Sequence, residues 1–97
     1  MEINFNDKTL TLRRTMRAYL LWEQITGKPF GLTTYTDFIT YFFATILASN
    51  PNEESITYDG FLDWLDSEPN ALADFVLWLQ QDTQPQPQQA KKKKAAK

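Results

Sequence analysis

Asp59, Asp63 and Asp66, in the run DGFLDWLDSE, are the densest set of side chains in this sequence that could do chemistry. Residues four apart share one helix face, and the third carboxylate falls on an adjacent turn. One use of such groups is cation binding, and the Asp59-Gly60 pair gives the stretch a superficial likeness to a calcium loop. Such a loop needs oxygens at alternate positions, a glycine at the sixth and a glutamate at the twelfth. The spacing here is helical, so these acids read as a solvated helix face. Paired carboxylates also serve glycoside hydrolysis, which needs a cleft with one carboxyl desolvated. A helical chain of 97 residues leaves little room for one. There is no Cys and no His. That removes thiolate nucleophiles, disulfides, Cys-ligated zinc, the commonest general base and the commonest metal ligand. The only glycines, Gly27, Gly31 and Gly60, stand apart and make no phosphate-cradling loop. No catalytic, cofactor-binding or metal-binding residue is assigned, and the chain reads as a non-enzyme.

Charge is distributed unevenly. Residues 1–83 hold five bases against twelve acids, a net of −7, while residues 84–97 hold five Lys and no acid. Residues 53–82 carry eight acids and no base. A Lys run binds phosphate by counterion release, without reading sequence. The acidic body opposes that, and no helix rich in Arg, Asn and Gln offers base contacts, so nucleic acid is not the expected partner. No apolar run approaches the ~18 residues of a membrane span, and the opening MEINFNDKTL lacks the basic and apolar regions of a secretory signal. The expectation is a cytosolic protein.

Rings are in excess. Between Tyr19 and Trp78, 13 of 60 residues are Phe, Tyr or Trp. Phe38, Phe42, Phe61 and Phe75 read as core. Trp22, Tyr35, Tyr41, Trp64 and Trp78 lie off the cleanest stripes, and so short a chain has limited interior. Together with Tyr58 they are the candidate partner-binding residues, for another protein or for a second copy; core filling is the competing reading.

These side chains need elements to position them. Ile3 and Phe5, then Leu10 and Leu12, alternate with polar residues around Asn6-Asp7, which predicts a short β-hairpin. Two strands are marginal alone, so the hairpin must lie on helices. Thr15 and Gly27 bound a first helix, with Met16, Tyr19, Leu20 and Glu23 on one stripe and Leu21, Trp22 and Ile25 widening the arc. A second helix, capped by Thr34 or Thr36 and ended by Asn50-Pro51, is apolar nearly all round and therefore central. Thr57 caps a third, with Tyr58, Phe61, Leu62 and Leu65 on one face, and Asn70 caps a fourth, with Leu72, Phe75, Val76 and Leu79 inward. The Gln/Pro alternation and Lys run that follow cannot pack. The expected fold is α+β and mostly helical: one domain over residues 1–82, a short N-terminal hairpin on about four short helices, and a disordered Gln/Pro/Lys tail over 83–97.

The order of these pieces, with WEQITGKPF, TDFITYFFATILASNP, TYDGFLDWLDSEP and ALADFVLWL, resembles the tail assembly chaperones of long-tailed, siphovirus-like phages and prophages. The resemblance spans residues 1–80 and contains no catalytic signature. It implies a chaperone that binds the tape measure protein and helps recruit tail tube subunits. Such a protein works in the cytoplasm of the bacterial host and is absent from the mature virion. The off-stripe rings would receive apolar client helices, and Asp59, Asp63, Asp66 and Glu68 would rim the groove. It also implies a longer, frameshifted form: the Lys run of AKKKKAAK is readable as a slippery message, and QPQPQQ as the linker to an added domain. Two other functions remain in view, a structural or connector protein of the virion and a small regulator binding nucleic acid through the basic tail.

Overall fold

Asn6 and Asp7 reverse the chain with φ of 50° and 70°. Both lie in the left-handed region that a two-residue hairpin turn requires and that Asn and Asp tolerate best after glycine. The strands they join, β1 (Glu2–Phe5) and β2 (Lys8–Thr11), pair antiparallel with Ile3 opposite Leu10 and Phe5 opposite Lys8. In this computed structural model, which describes residues 1–53 and 55–82, four helices follow: α1 (Met16–Thr26), α2 (Tyr35–Ser49), α3 (Tyr58–Ser67) and α4 (Ala71–Asp82). The expected α+β architecture is present, hairpin first and four helices after it. The expected tail, residues 83–97, lies outside the described residues.

Local chemistry sets the helix ends. The Thr15 hydroxyl accepts from the Ala18 N–H, and Gly27 closes α1 at φ 73°. Thr34, rather than Thr36, caps α2, because Asp37 completes a reciprocal box: Asp37 N–H donates to the Thr34 hydroxyl, and the Thr34 N–H donates to the Asp37 carboxylate. The same carboxylate accepts from Thr33 N–H and Thr33 Oγ1, both at 2.9 Å. Lys28 Nζ stands 3.1 Å from its other oxygen and 5.7 Å from the centre of the Trp22 ring. The Thr33 backbone N–H, followed by the Thr33 hydroxyl, Lys28 and the Thr34 N–H, holds the Asp37 carboxyl far below the usual carboxylate range, against the opposing pull of burial.

α2 is the axis of the fold and is covered on nearly every side. Ile3, Phe5, Leu10 and Leu12 lay the hairpin face on the core. Asn50 Nδ2 donates to the Thr11 carbonyl at 3.2 Å, and the Ser49 hydroxyl takes the Arg13 N–H at 2.8 Å, so the end of β2 is tied to the end of α2. Phe42 is the hub, stacked on Phe75 of α4 at 4.3 Å and edge-on to Phe61 of α3 at 5.3 Å. A second cluster joins α1 to α2 through Phe30, whose ring meets Tyr19, Trp22 and Tyr41 edge-on at 4.7 to 5.1 Å. These ring pairs do the work that many small residues do in larger cores.

Three rings expected at the surface are inside. Trp22, Tyr41 and Trp64 are 0%, 1% and 6% exposed. Tyr41 lies on the part of α2 that the other elements cover and has no outer stripe to occupy. Each Trp also finds an acceptor for its polar edge: Trp22 Nε1–H donates to the Asp37 carbonyl at 3.0 Å, and Trp64 Nε1–H to the Asn4 carbonyl at 2.9 Å. With that donor satisfied, burial of the whole indole is favourable. The stripe of α1 is corrected as well. Ala18 and Trp22 face inward, Tyr19 is half-buried, and Met16 and Leu20 point out.

Candidate functional site

Asp59, Asp63 and Asp66 are all exposed on α3. Among the described residues no group of three or more potential ligands is arranged to hold a metal. Nor is any described helix long and apolar enough to cross a membrane.

Of the six candidate rings, Tyr35 is 79% exposed, Tyr58 38%, and Trp78 is half-buried against Phe75 with ring centres 5.8 Å apart. Trp22 is fully buried, while Tyr41 and Trp64 border recesses with almost no exposed surface of their own. Tyr58 and Tyr35 are on different surfaces. Tyr58 borders a recess of about 640 Å³ with Ile25, Thr36 and Phe43, floored by the Lys28–Asp37 pair. Tyr35 stands at the mouth of an apolar groove between α2 and α4.

That groove, about 690 Å³, is lined by Tyr35, Phe38, Leu72, Val76 and Leu77, with Pro69 and Ala73 at its edge, and by no charged side chain. Its geometry follows from α4. Phe75 and Leu79 are buried, while Leu72 and Val76, on the next arc, are only half-covered and Leu77 is 54% exposed. The helix therefore carries more apolar arc than the core uses, and the surplus faces Phe38 of α2. Phe38 and Val76 also line an adjoining recess of about 270 Å³ formed with Phe30, Leu32, Tyr41 and Leu79, with Arg14 and Gln80 as its polar members. From Ala71 to Gln80 the helix runs about 14 Å at 1.5 Å per residue, two and a half turns. At the far end Arg14 donates to the Leu79 carbonyl at 3.0 Å and to the Tyr19 hydroxyl at 3.1 Å. Beside it the Tyr41 hydroxyl is buried next to Tyr19 and Arg14, and burial, followed by Tyr19, raises its phenol above the usual tyrosine range.

The acids expected at the rim are placed differently. None of Asp59, Asp63, Asp66 or Glu68 lines the groove. Glu68 precedes the edge residue Pro69 but opens into a separate cleft beside Glu2 and Asp74. What the residue-by-residue reading missed is the surplus on α4. Six of the eight residues in LADFVLWL are apolar beyond alanine, more than one buried stripe can hold.

Comparison with protein-family models, with curated proteins and with solved structures finds no match to this chain.

Proposed function

We propose that this chain is a non-enzymatic assembly chaperone whose α2/α4 groove holds an apolar helix of a client protein. The carrying observation is the groove: an apolar trough between α2 and α4 with no charged side chain in its lining, continued by a smaller recess that Arg14 borders. A trough of that shape suits the helix-in-groove mode, in which apolar anchors at i, i+3 or i+4, and i+7 enter one face. The acidic body keeps such a surface soluble and disfavours acidic competitors. The resemblance to tail assembly chaperones supplies the client, the tape measure protein of a long-tailed phage, with tail tube subunits recruited afterwards in the host cytoplasm. On the same reading the protein leaves before the virion is complete, and a frameshifted form carries the contact to the tube subunit.

The proposal expects a tape measure gene beside this one; its product, cut into overlapping helical segments, is the ligand, with binding followed by titration calorimetry. Tyr35→Ala with Leu77→Asp removes two exposed groove contacts and places a charge in the trough. A buried leucine contributes about 1.5–3 kcal/mol, so affinity is expected to fall at least tenfold. Equal binding by the variant, or no segment retained by the wild type, overturns the proposal.

A further inference from the structure

α1 carries two apolar faces, and the body covers only one. Ala18 and Trp22 have no exposure, whereas Met16 and Leu20 stand 69% and 53% exposed. Their spacing of four makes them one ridge. Two opposite charges border it at equal distances from Leu20: Arg17 three residues before and Glu23 three residues after, both exposed. Exposed Gln24 follows Leu20 by four, as Met16 precedes it by four. Arg17 enters no ion pair among the described residues, and the Phe30 N–H holds the Glu23 carboxylate in place at 2.9 Å. This order of charges opposes the macrodipole of α1, which favours acids in the first turn and bases in the last. α1 has neither. An antiparallel neighbour reverses the sign, because its C-terminal half lies beside Arg17 and its N-terminal half beside Glu23. A uniformly acidic partner would meet Glu23 and a uniformly basic one Arg17. The Lys-rich stretch at 91–97 is basic throughout and has no apolar side chain larger than alanine, so it offers no anchor. The pattern that fits the ridge is the ridge itself, reversed.

We infer that the α1 ridge packs antiparallel on the α1 ridge of a second copy, about a two-fold axis beside Leu20. Residues equally far before and after Leu20 then stand level with each other. Leu20 meets Leu20 of the second copy, Met16 lies along its Gln24, and Arg17 faces its Glu23. The last two contacts occur twice. The contact is isologous, so it closes at a dimer. One face of an eleven-residue helix covers less than the ~1,200 Å² of a standard interface, so the dimer is weak and fills only at high concentration. Met16, Arg17, Leu20, Glu23 and Gln24 line neither the α2/α4 groove nor its adjoining recess, so the inference does not depend on what the groove holds.

Sedimentation velocity of the full chain alone, from about 5 to about 500 µM, is expected to show monomer passing to dimer and no larger species. The chain has no Cys, so Leu20→Cys introduces a single thiol. At the axis it meets its own copy within the ~3.5–4.5 Å Cβ separation of a disulfide. Under mild oxidation it is expected to cross-link at least about tenfold faster than Leu77→Cys, an equally exposed position on α4. Arg17→Glu sets acid against acid at both ends of the contact and weakens the dimer at least about tenfold. Adding Glu23→Arg restores opposite signs and recovers the dimer, which a merely structural role for Arg17 would not do. Glu23→Arg also loses the bond from the Phe30 N–H, so melting curves accompany the double variant; where it melts early, the cross-link decides. A wild type that is monomeric throughout, a Leu20→Cys that links no faster than Leu77→Cys, or a folded double variant as weak as Arg17→Glu overturns the inference.

Discussion

Replacing Trp64 with alanine removes an indole that is 6% exposed and packed against Phe5 at 5.3 Å and Phe42 at 5.8 Å, together with the N–H that donates to the Asn4 carbonyl. Truncating a buried Trp costs about 3–5 kcal/mol. Loss of the bond to Asn4 adds only about 0.5–1.5 kcal/mol, since Asn4 is exposed and water can replace the donor. A domain of this size has roughly 5–10 kcal/mol in total, so the variant is left marginal. At about 4–8 °C per kcal/mol, even the lower figure means a fall of roughly 12–24 °C in Tm. Trp64→Phe keeps most of the ring contact and loses the N–H, so its fall is expected at about 2–12 °C, below that of Trp64→Ala. Far-UV circular dichroism melts of wild type, Trp64→Phe and Trp64→Ala separate ring from bond. If Trp64→Ala melts within about 5 °C of wild type, Trp64 does not join the hairpin to α3 and the core described above is wrong.

Tyr41→Phe deletes a buried hydroxyl that stands beside Tyr19 and Arg14 without an aligned hydrogen bond, and is expected to keep stability or raise it by up to about 1 kcal/mol; a lower urea midpoint would show that the hydroxyl is bonded. The folded Asp37 carboxyl titrates well below its unfolded value of ~3.9, so its contribution is complete above about pH 4 and is lost as the pH falls further. The Tm of wild type should therefore drop more steeply between about pH 4 and pH 2 than that of Asp37→Asn, and parallel curves would contradict the capping box. Gly27→Ala meets no atom within 4 Å but must adopt φ 73°, which costs about 1 kcal/mol through strain alone; an unchanged urea midpoint would show that α1 closes differently.

What could be read from the residues was whatever short-range chemistry decides. Asn6-Asp7 between alternating apolar pairs, Thr15 and Gly27 around α1, and the all-round apolar α2 each declare their role within a few positions. The choice between Thr34 and Thr36 as cap needed the Asp37 side chain, three residues after Thr34, to reach back. Ring placement was harder, because it depends on what surrounds α2 rather than on any one period. Trp64 lies off its stripe, yet the hairpin carbonyl of Asn4 lies within reach to receive it. On α1 two apolar stripes compete, and the presence of Glu23 on the Met16–Leu20 stripe was the signal that it faces water. The groove was illegible for a related reason: Phe38, Leu72 and Val76 are each shared between core and surface, and periodicity assigns a residue to one side only.

The central claim is that the α2/α4 groove holds an apolar helix. Amide hydrogen exchange of the full chain, with and without a saturating tape measure helix, tests it most directly. Added protection concentrated at 35–38 and 72–77, with the hairpin and α3 unchanged, is the predicted result. Protection centred on α1 or α3, or none anywhere despite binding, would contradict it.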